Sequence, residues 1–347
     1  MLLLAISSFL VIEKLVLVAV ILGISLVIAM YSTYAERKLA AFIQDRRGPN
    51  RAGPFGLLQP LADGGKLFFK EEIIPEYASK YLFVLGPALF MVIACMTSAV
   101  IPWGGTLTIA GHEVVLQVAD VNIGILYVFG VLSLGVYGIM IGGWASNNKY
   151  SLLGTIRAAS QIISYELAMG LSLIALLMIT GTLSLRGIVE QQQHGVWYVL
   201  YQPLGFLIFL VCAFAECNRT PFDLAECDSE LVMGFHTEYS SMKLGFYLFA
   251  EYINMFISSA VMVTLYFGGY SFPGMNSLHV SPNMLTILGV IAFFIKIFLF
   301  LFFFIWVRWT VPRFRYDQLM KLGWKMLIPL AILNLLATGA VLLYLHH

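Results

Sequence analysis

Long uncharged stretches alternate with short polar ones along the whole chain. Eight of them, at about 15–34, 81–101, 122–144, 160–180, 196–215, 244–267, 284–311 and 326–345, are free or nearly free of charge. Each has about 19 or more residues, enough at 1.5 Å per residue to cross a hydrocarbon core of roughly 30 Å. The pattern predicts about eight transmembrane helices. Between the first two spans, Gly48-Pro49, Gly53-Pro54, Gly56 and Pro60 predict irregular chain. There follows a stretch in which Leu58, Leu61, Gly65, Phe68 and Phe69 alternate at helical spacing with Gln59, Asp63, Lys66 and Lys70. That pattern predicts an amphipathic helix lying along the membrane surface. Thr106-Leu107-Thr108-Ile109 and Val114-Val115-Leu116 around Gly111-His112 predict a short hairpin, and residues 185–194 a second surface helix ending at His194.

Composition agrees with this reading. Hydrophobic residues make up 60% of the 347 and charged residues only 11%, against roughly a quarter charged in soluble domains. The chain is therefore expected to be a single integral domain, an all-α polytopic membrane protein. An even number of spans puts both termini on one side. All Lys and Arg except Lys14, Arg186 and Lys296 fall at or beside the odd-numbered connections, so the positive-inside rule places those loops, 35–80 and 216–243 among them, inside and the termini outside. No small-residue cleavage site follows the first span, which reads as a retained helix. Cys95, Cys212, Cys217 and Cys227 form no CxxC pair and have no companion histidine spacing, which argues against a cluster or zinc site on this chain.

Charges at membrane depth carry the functional signal, because each costs about 2.5–3.5 kcal/mol to insert and so faces protein or water. Glu166 begins the predicted fourth span beside Ser160, Gln161, Ser164 and Tyr165. Glu251 lies deeper, with Tyr247, Asn254 and Ser258 at i−4, i+3 and i+7 on one helical stripe. Lys296 is the only polar side chain within Ile291–Phe304 and stands roughly 18 Å of helix from Arg308, so a counter-charge on a neighbouring helix is expected for it. Glu216, Asp223, Glu226, Asp228, Glu230 and Glu238 gather in one internal loop. Thr220-Pro221-Phe222-Asp223 predicts a helix start there, with Thr220 as N-cap and Asp223 capping back. A helix continuing from it would put Asp223, Glu226 and Glu230 on one face, where like charges raise one another's proton affinity and suit proton transfer.

Several ordered motifs also carry a resemblance. Glu36-Arg37-Lys38, Arg47-Gly48-Pro49-Asn50, Gly53 through Asp63, Glu216 through Val232, Glu238-Tyr239-Ser240, Trp306 through Thr310 and Pro312 through Met320 closely resemble the H-type membrane subunits of respiratory complex I, the proton-pumping NADH:quinone oxidoreductase. The likeness covers almost the whole chain. It implies a subunit joining the membrane and hydrophilic arms, forming much of a quinone chamber and its entrance from lipid. Electrons would reach the quinone through FMN and iron–sulfur clusters on partner subunits. By position in the motifs, Arg37, Arg46, Asp63 and Phe222 are implied to bind quinone, while Glu166, Glu216, Asp223, Glu226, Asp228, Glu230 and Glu251 are implied to link its reduction to proton movement. Asp228 departs from the family, which usually has Glu there, and its shorter reach puts that one role in question. The implied address is a bacterial inner membrane, or alternatively the mitochondrial one. Two other classes share some of these features: a stand-alone cation/proton antiporter, which would show internal repeats that this chain lacks, and a membrane anchor of a related hydrogenase-type complex that uses no quinone.

Overall fold

The computed structural model describes residues 2–109, 111–224, 231–275 and 280–346, so Glu226, Asp228 and Glu230 lie outside the described residues. Among the described residues the strands are the two of one hairpin, β1 (Thr106–Ile109) and β2 (His112–Val115), paired antiparallel as the alternation predicted, and the rest is helix and connecting chain. Among the described residues, seven helices are long and apolar enough to cross a membrane. The fold is that of a polytopic all-α membrane protein.

The first span belongs to α1 (Leu2–Ile43), a 42-residue helix that continues past the predicted boundary and carries Glu36 and Arg37 on its last turns. The amphipathic α2 (Gln59–Phe69) lies across it. Leu61, Phe68 and Phe69 of α2 are exposed, an apolar face left for lipid. Its Leu67 packs where a Cβ on Gly245 would come within 3.3 Å, and Ser241 Oγ donates to Leu67 O (3.0 Å), which fixes α2 against the membrane bundle.

α3 (Lys80–Thr97) and α4 (Gly124–Ala145) pack through glycines, as membrane helices do where small residues let backbones approach. A Cβ on Gly86 would stand 2.8 Å from Gly142 Cα, and one on Gly142 would overlap the Tyr247 hydroxyl. α5 (Lys149–Thr180) has 32 residues and starts earlier than the apolar pattern predicted, because its first turns mix Lys149 and Arg157 with buried small residues. Glu166 consequently lies mid-helix. The surface helix α6 (Leu185–His194) forms as predicted, capped by the Ser184 side chain.

The predicted span 196–215 is shorter than expected. Gln202 (φ −128°, ψ 57°) breaks it into α7 (Tyr198–Tyr201) and the 14-residue α8 (Pro203–Glu216), since Pro203 can start a helix but cannot continue one. α8 alone covers roughly 21 Å. It is a shorter apolar helix than the seven long ones. α6 touches the C-terminal end of α9 (Ser241–Tyr266), where Gln192 Nε2 donates to Thr264 O and Leu265 O, while α8 ends beside Arg219 and the N-terminal half of α9. α9 is the most buried of the long helices, 78% within its apolar window, and packs against α1, α3 and the helix at Pro282–Thr310. α10 (Pro282–Thr310), α11 (Tyr316–Lys321) and α12 (Ile328–His346) complete the chain, with a π-helical turn at Leu322–Leu327 joining the last two.

Candidate functional site

Two predicted quinone residues meet at the surface where α1 and α2 cross. Arg37 Nη1 lies 2.6 Å from Asp63 Oδ2, Lys66 Nζ 2.9 Å from Asp63 Oδ1, and both cations are half-exposed or more. Partial burial raises the cost of the Asp63 charge, but the Lys66 hydrogen bond and the Arg37 and Lys66 charges outweigh it and hold the carboxyl below its ordinary 3.8. Pairs this exposed add little stability, so their fixed charges are better suited to a ligand's polar group than to holding the fold. They line a cleft floored by Leu244, Leu248 and Phe249 of α9, with Glu36 and Tyr252 at its inner wall. Arg46 does not join them. It lies exposed beyond α1, where its Nε donates to Gln44 Oε1 (2.7 Å).

From that inner wall a chain of buried charges runs into the bundle. Arg308 Nη1 lies 2.6 Å from Glu36 Oε1, and the Tyr252 hydroxyl donates to Glu36 Oε2 at 2.7 Å. Over the Tyr252 ring, 4.1 Å from its centroid, is the Arg219 guanidinium, which in turn reaches Glu251 Oε2 at 3.2 Å. Glu36, Arg219 and Glu251 are 7%, 5% and 1% exposed, so each charge is compensated by geometry rather than by water. Glu36, Tyr252 and Arg219 are the members that sequence reasoning did not assign. Glu36 adjoins Arg37 at the end of a helix and Tyr252 adjoins Glu251, but their pairing needs helices far apart in sequence.

The remaining acids continue inward. The predicted stripe on α9 is turned from lipid: the Tyr247 hydroxyl donates to Gly138 O (3.1 Å), Glu251 takes Arg219, and Asn254 and Ser258 face a cavity with Glu216. That cavity, about 20 Å³, has room for about one water. Glu216 Oε2 and Asn254 Oδ1 are both buried there without a hydrogen-bond partner among the described residues. Glu166 is within electrostatic reach of Glu216 and accepts from the Ser133 hydroxyl of α4. Ser258 also hydrogen-bonds with Cys217, the residue after Glu216.

Residues 221–224 form a turn, a bend and irregular chain, so no helix starts at Pro221. Asp223 is met from across the bundle, with Arg313 Nη2 3.5 Å from its Oδ1, and Phe314 N donates to Pro221 O (3.2 Å), so the segment after α10 packs onto this turn. Phe222 is buried between Tyr165 and Phe314, each with ring centroids 5.5 Å away, and it is not part of the Arg37–Asp63 cleft. Lys296 has no carboxylate partner among the described residues. Its ammonium donates to Phe267 O (2.7 Å), Gly269 O (3.0 Å) and Ser271 O (2.5 Å) and stands 4.7 Å above the Trp197 ring. Carbonyls at a helix C-terminus carry partial negative charge and can stand in for a counter-ion.

Comparison with known proteins agrees with this architecture. The family model described as NADH dehydrogenase matches residues 15–339. The H subunit of NADH-quinone oxidoreductase from Cytophaga hutchinsonii, numbered 1 in that organism, is 67% identical over 331 residues, covering 95% of this chain and 97% of that protein. The H subunit from Flavobacterium johnsoniae is 63% identical over 97% of both chains, and the one numbered 2 in Geobacter sulfurreducens is 51% identical over 94% and 95%. On this coverage and identity, the chain belongs to the NADH dehydrogenase family.

Proposed function

We propose that this chain is the H-type membrane subunit of a proton-translocating NADH:quinone oxidoreductase. In this reading the Arg37–Asp63 cleft receives quinone from the lipid, and the buried acids behind it couple quinone reduction to proton movement. The supporting observation is continuity. The wall of the cleft is Glu36 and Tyr252, and the same two side chains begin the charge chain that leads through Arg308, Arg219 and Glu251 toward Glu216 and Glu166.

The chemistry requires such a link. A quinone takes up two electrons and two protons to become quinol, and between those events it carries negative charge. Fixed cations at the cleft, Arg37 and Lys66, stabilise that charge, and a pair such as Arg308–Glu36 redistributes when a new anion competes for the guanidinium. Moving one elementary charge across 100 mV requires about 2.3 kcal/mol, comparable with remaking one buried ion pair, so the scale of the network suits the task. Electrons arrive from FMN and iron–sulfur clusters on partner subunits of the hydrophilic arm, and other membrane-arm subunits take the signal onward. The exposed apolar face of α2 rests on the inner leaflet, the loops 35–80 and 216–243 face inward, the termini face outward, and the membrane is a bacterial inner membrane.

Photolabelling of the intact complex with a quinone analogue tests the reading. Label on 35–80, competed by native quinone, is expected. Label confined to other subunits would refute the cleft as a quinone site.

A further inference from the structure

The outer half of α9 differs in kind from the half that carries the acids. Past Ser258 the hydroxyls of Ser259 and Thr264 turn back onto Met255 O (2.8 Å) and Ala260 O (2.7 Å) of their own helix, and Val261, Met262, Val263 and Leu265 are fully packed or nearly so. Next comes a layer of rings from three helices and the connecting chain. Phe206 of α8 meets Tyr266 (5.4 Å) and Phe267 (5.3 Å), Phe267 meets Phe300 of α10 (5.3 Å), and Trp197 meets Phe267 (5.9 Å). Immediately beyond this layer, one helical turn from Phe300, is the Lys296 ammonium in its cage of three carbonyls over Trp197. Gly268 and Gly269 have φ of +73° and +52°, and a Cβ on Gly268 would overlap Ser271 Oγ, so the chain is folded tightly to aim those carbonyls at the ammonium.

We propose that Lys296 and the aromatic layer form a proton seal, closing the acidic chain off from the face of the membrane opposite the acidic loop. A fixed cation set against packed rings repels hydronium, and its three carbonyl acceptors are already engaged by the ammonium. Protons handled by Glu216 and Glu251 therefore do not leave through the far end of this subunit; charge displacement passes sideways to neighbouring membrane subunits. The inference builds on the reading of those acids as a relay.

The seal is tested without turnover. The intact complex carrying Lys296→Met is reconstituted in liposomes, a pH gradient is imposed, and its passive decay is followed with an internal dye. Met keeps much of the bulk and removes the charge, leaving three carbonyls to draw in water. Decay about tenfold faster than wild type is expected, since opening such a barrier exposes a hydrated path. Lys296→Arg should keep the seal. Trp197→Leu, which keeps the lysine but removes the ring beneath it, gives a milder leak and serves if the Met variant does not assemble. Wild-type decay in every assembled variant other than Lys296→Arg would overturn the proposal. Adding Glu216→Gln to Lys296→Met separates the two readings. Suppression of the leak supports both, whereas an undiminished leak leaves the seal standing and removes Glu216 from the path.

Discussion

Arg219 and Glu251 form one ion pair, yet neutralising each of them should have unequal effects. In Glu251→Gln the guanidinium remains, 5% exposed, and cannot lose its proton at any accessible pH. Breaking one side of a buried pair costs about 3–5 kcal/mol, and the contact of Arg219 with the Tyr252 ring, common to both forms, does not change that difference. In Arg219→Gln the group left behind is a carboxyl, which can shed its charge by binding a proton and then needs only hydrogen bonds. Glu251→Gln is therefore the more destabilising change, by roughly 1 kcal/mol, or about fivefold in the equilibrium constant for local opening. Hydrogen exchange on the amides of residues 245–258 in the assembled complex reads that opening directly. Equal protection in the two variants, or faster exchange in Arg219→Gln, would refute the reasoning.

The cleft and its surroundings can be probed in the same way. The Asp63 carboxyl is held below its ordinary value, so its paired, charged form is complete above about pH 4 and lost only as pH falls through the depressed value; Asp63→Asn should raise KM for quinone severalfold, and the wild-type KM should show no limb from Asp63 between about pH 6 and 8. Replacing the exposed Phe68 and Phe69 by Ser should raise KM for a long-tailed quinone more than for a short-tailed analogue, as expected if the apolar face of α2 holds the lipid edge near the cleft. Phe314→Ala, which removes the ring stacked on Phe222 but none of the cleft, should lower turnover with KM for quinone within about twofold.

Much of this architecture is legible in the order of apolar and polar residues, because a bilayer forces long apolar helices and penalises stray charge. Glu251 and its stripe were readable for that reason, and so were the hairpin, α2 and α6. What the pattern missed depended on geometry across the bundle. A sliding count of apolar residues sees 196–215 as one span, but the break at Gln202 is a backbone event at a proline. Glu166 is mid-helix because charged Lys149 and Arg157 belong to the same helix as the apolar run after them. Lys296 was expected to find a carboxylate, and carbonyls at the end of α9 serve instead; no sequence count registers a backbone acceptor. No helix starts at Pro221, where the segment after α10 packs instead, Arg313 pairing with Asp223 and Phe314 N donating to Pro221 O. Glu36 went unassigned because its partners, Tyr252 and Arg308, come from helices more than 200 residues along the chain.

Coupling between quinone chemistry and the buried acids is read out by the proton-to-electron ratio of the assembled complex carrying Glu216→Gln, measured in sealed vesicles beside its quinone-reductase rate. The ratio should fall, or quinone reduction itself should slow, while the complex assembles at wild-type levels. A variant that reduces quinone at the normal rate and moves the normal number of protons would remove Glu216 from the relay and the coupling scheme with it.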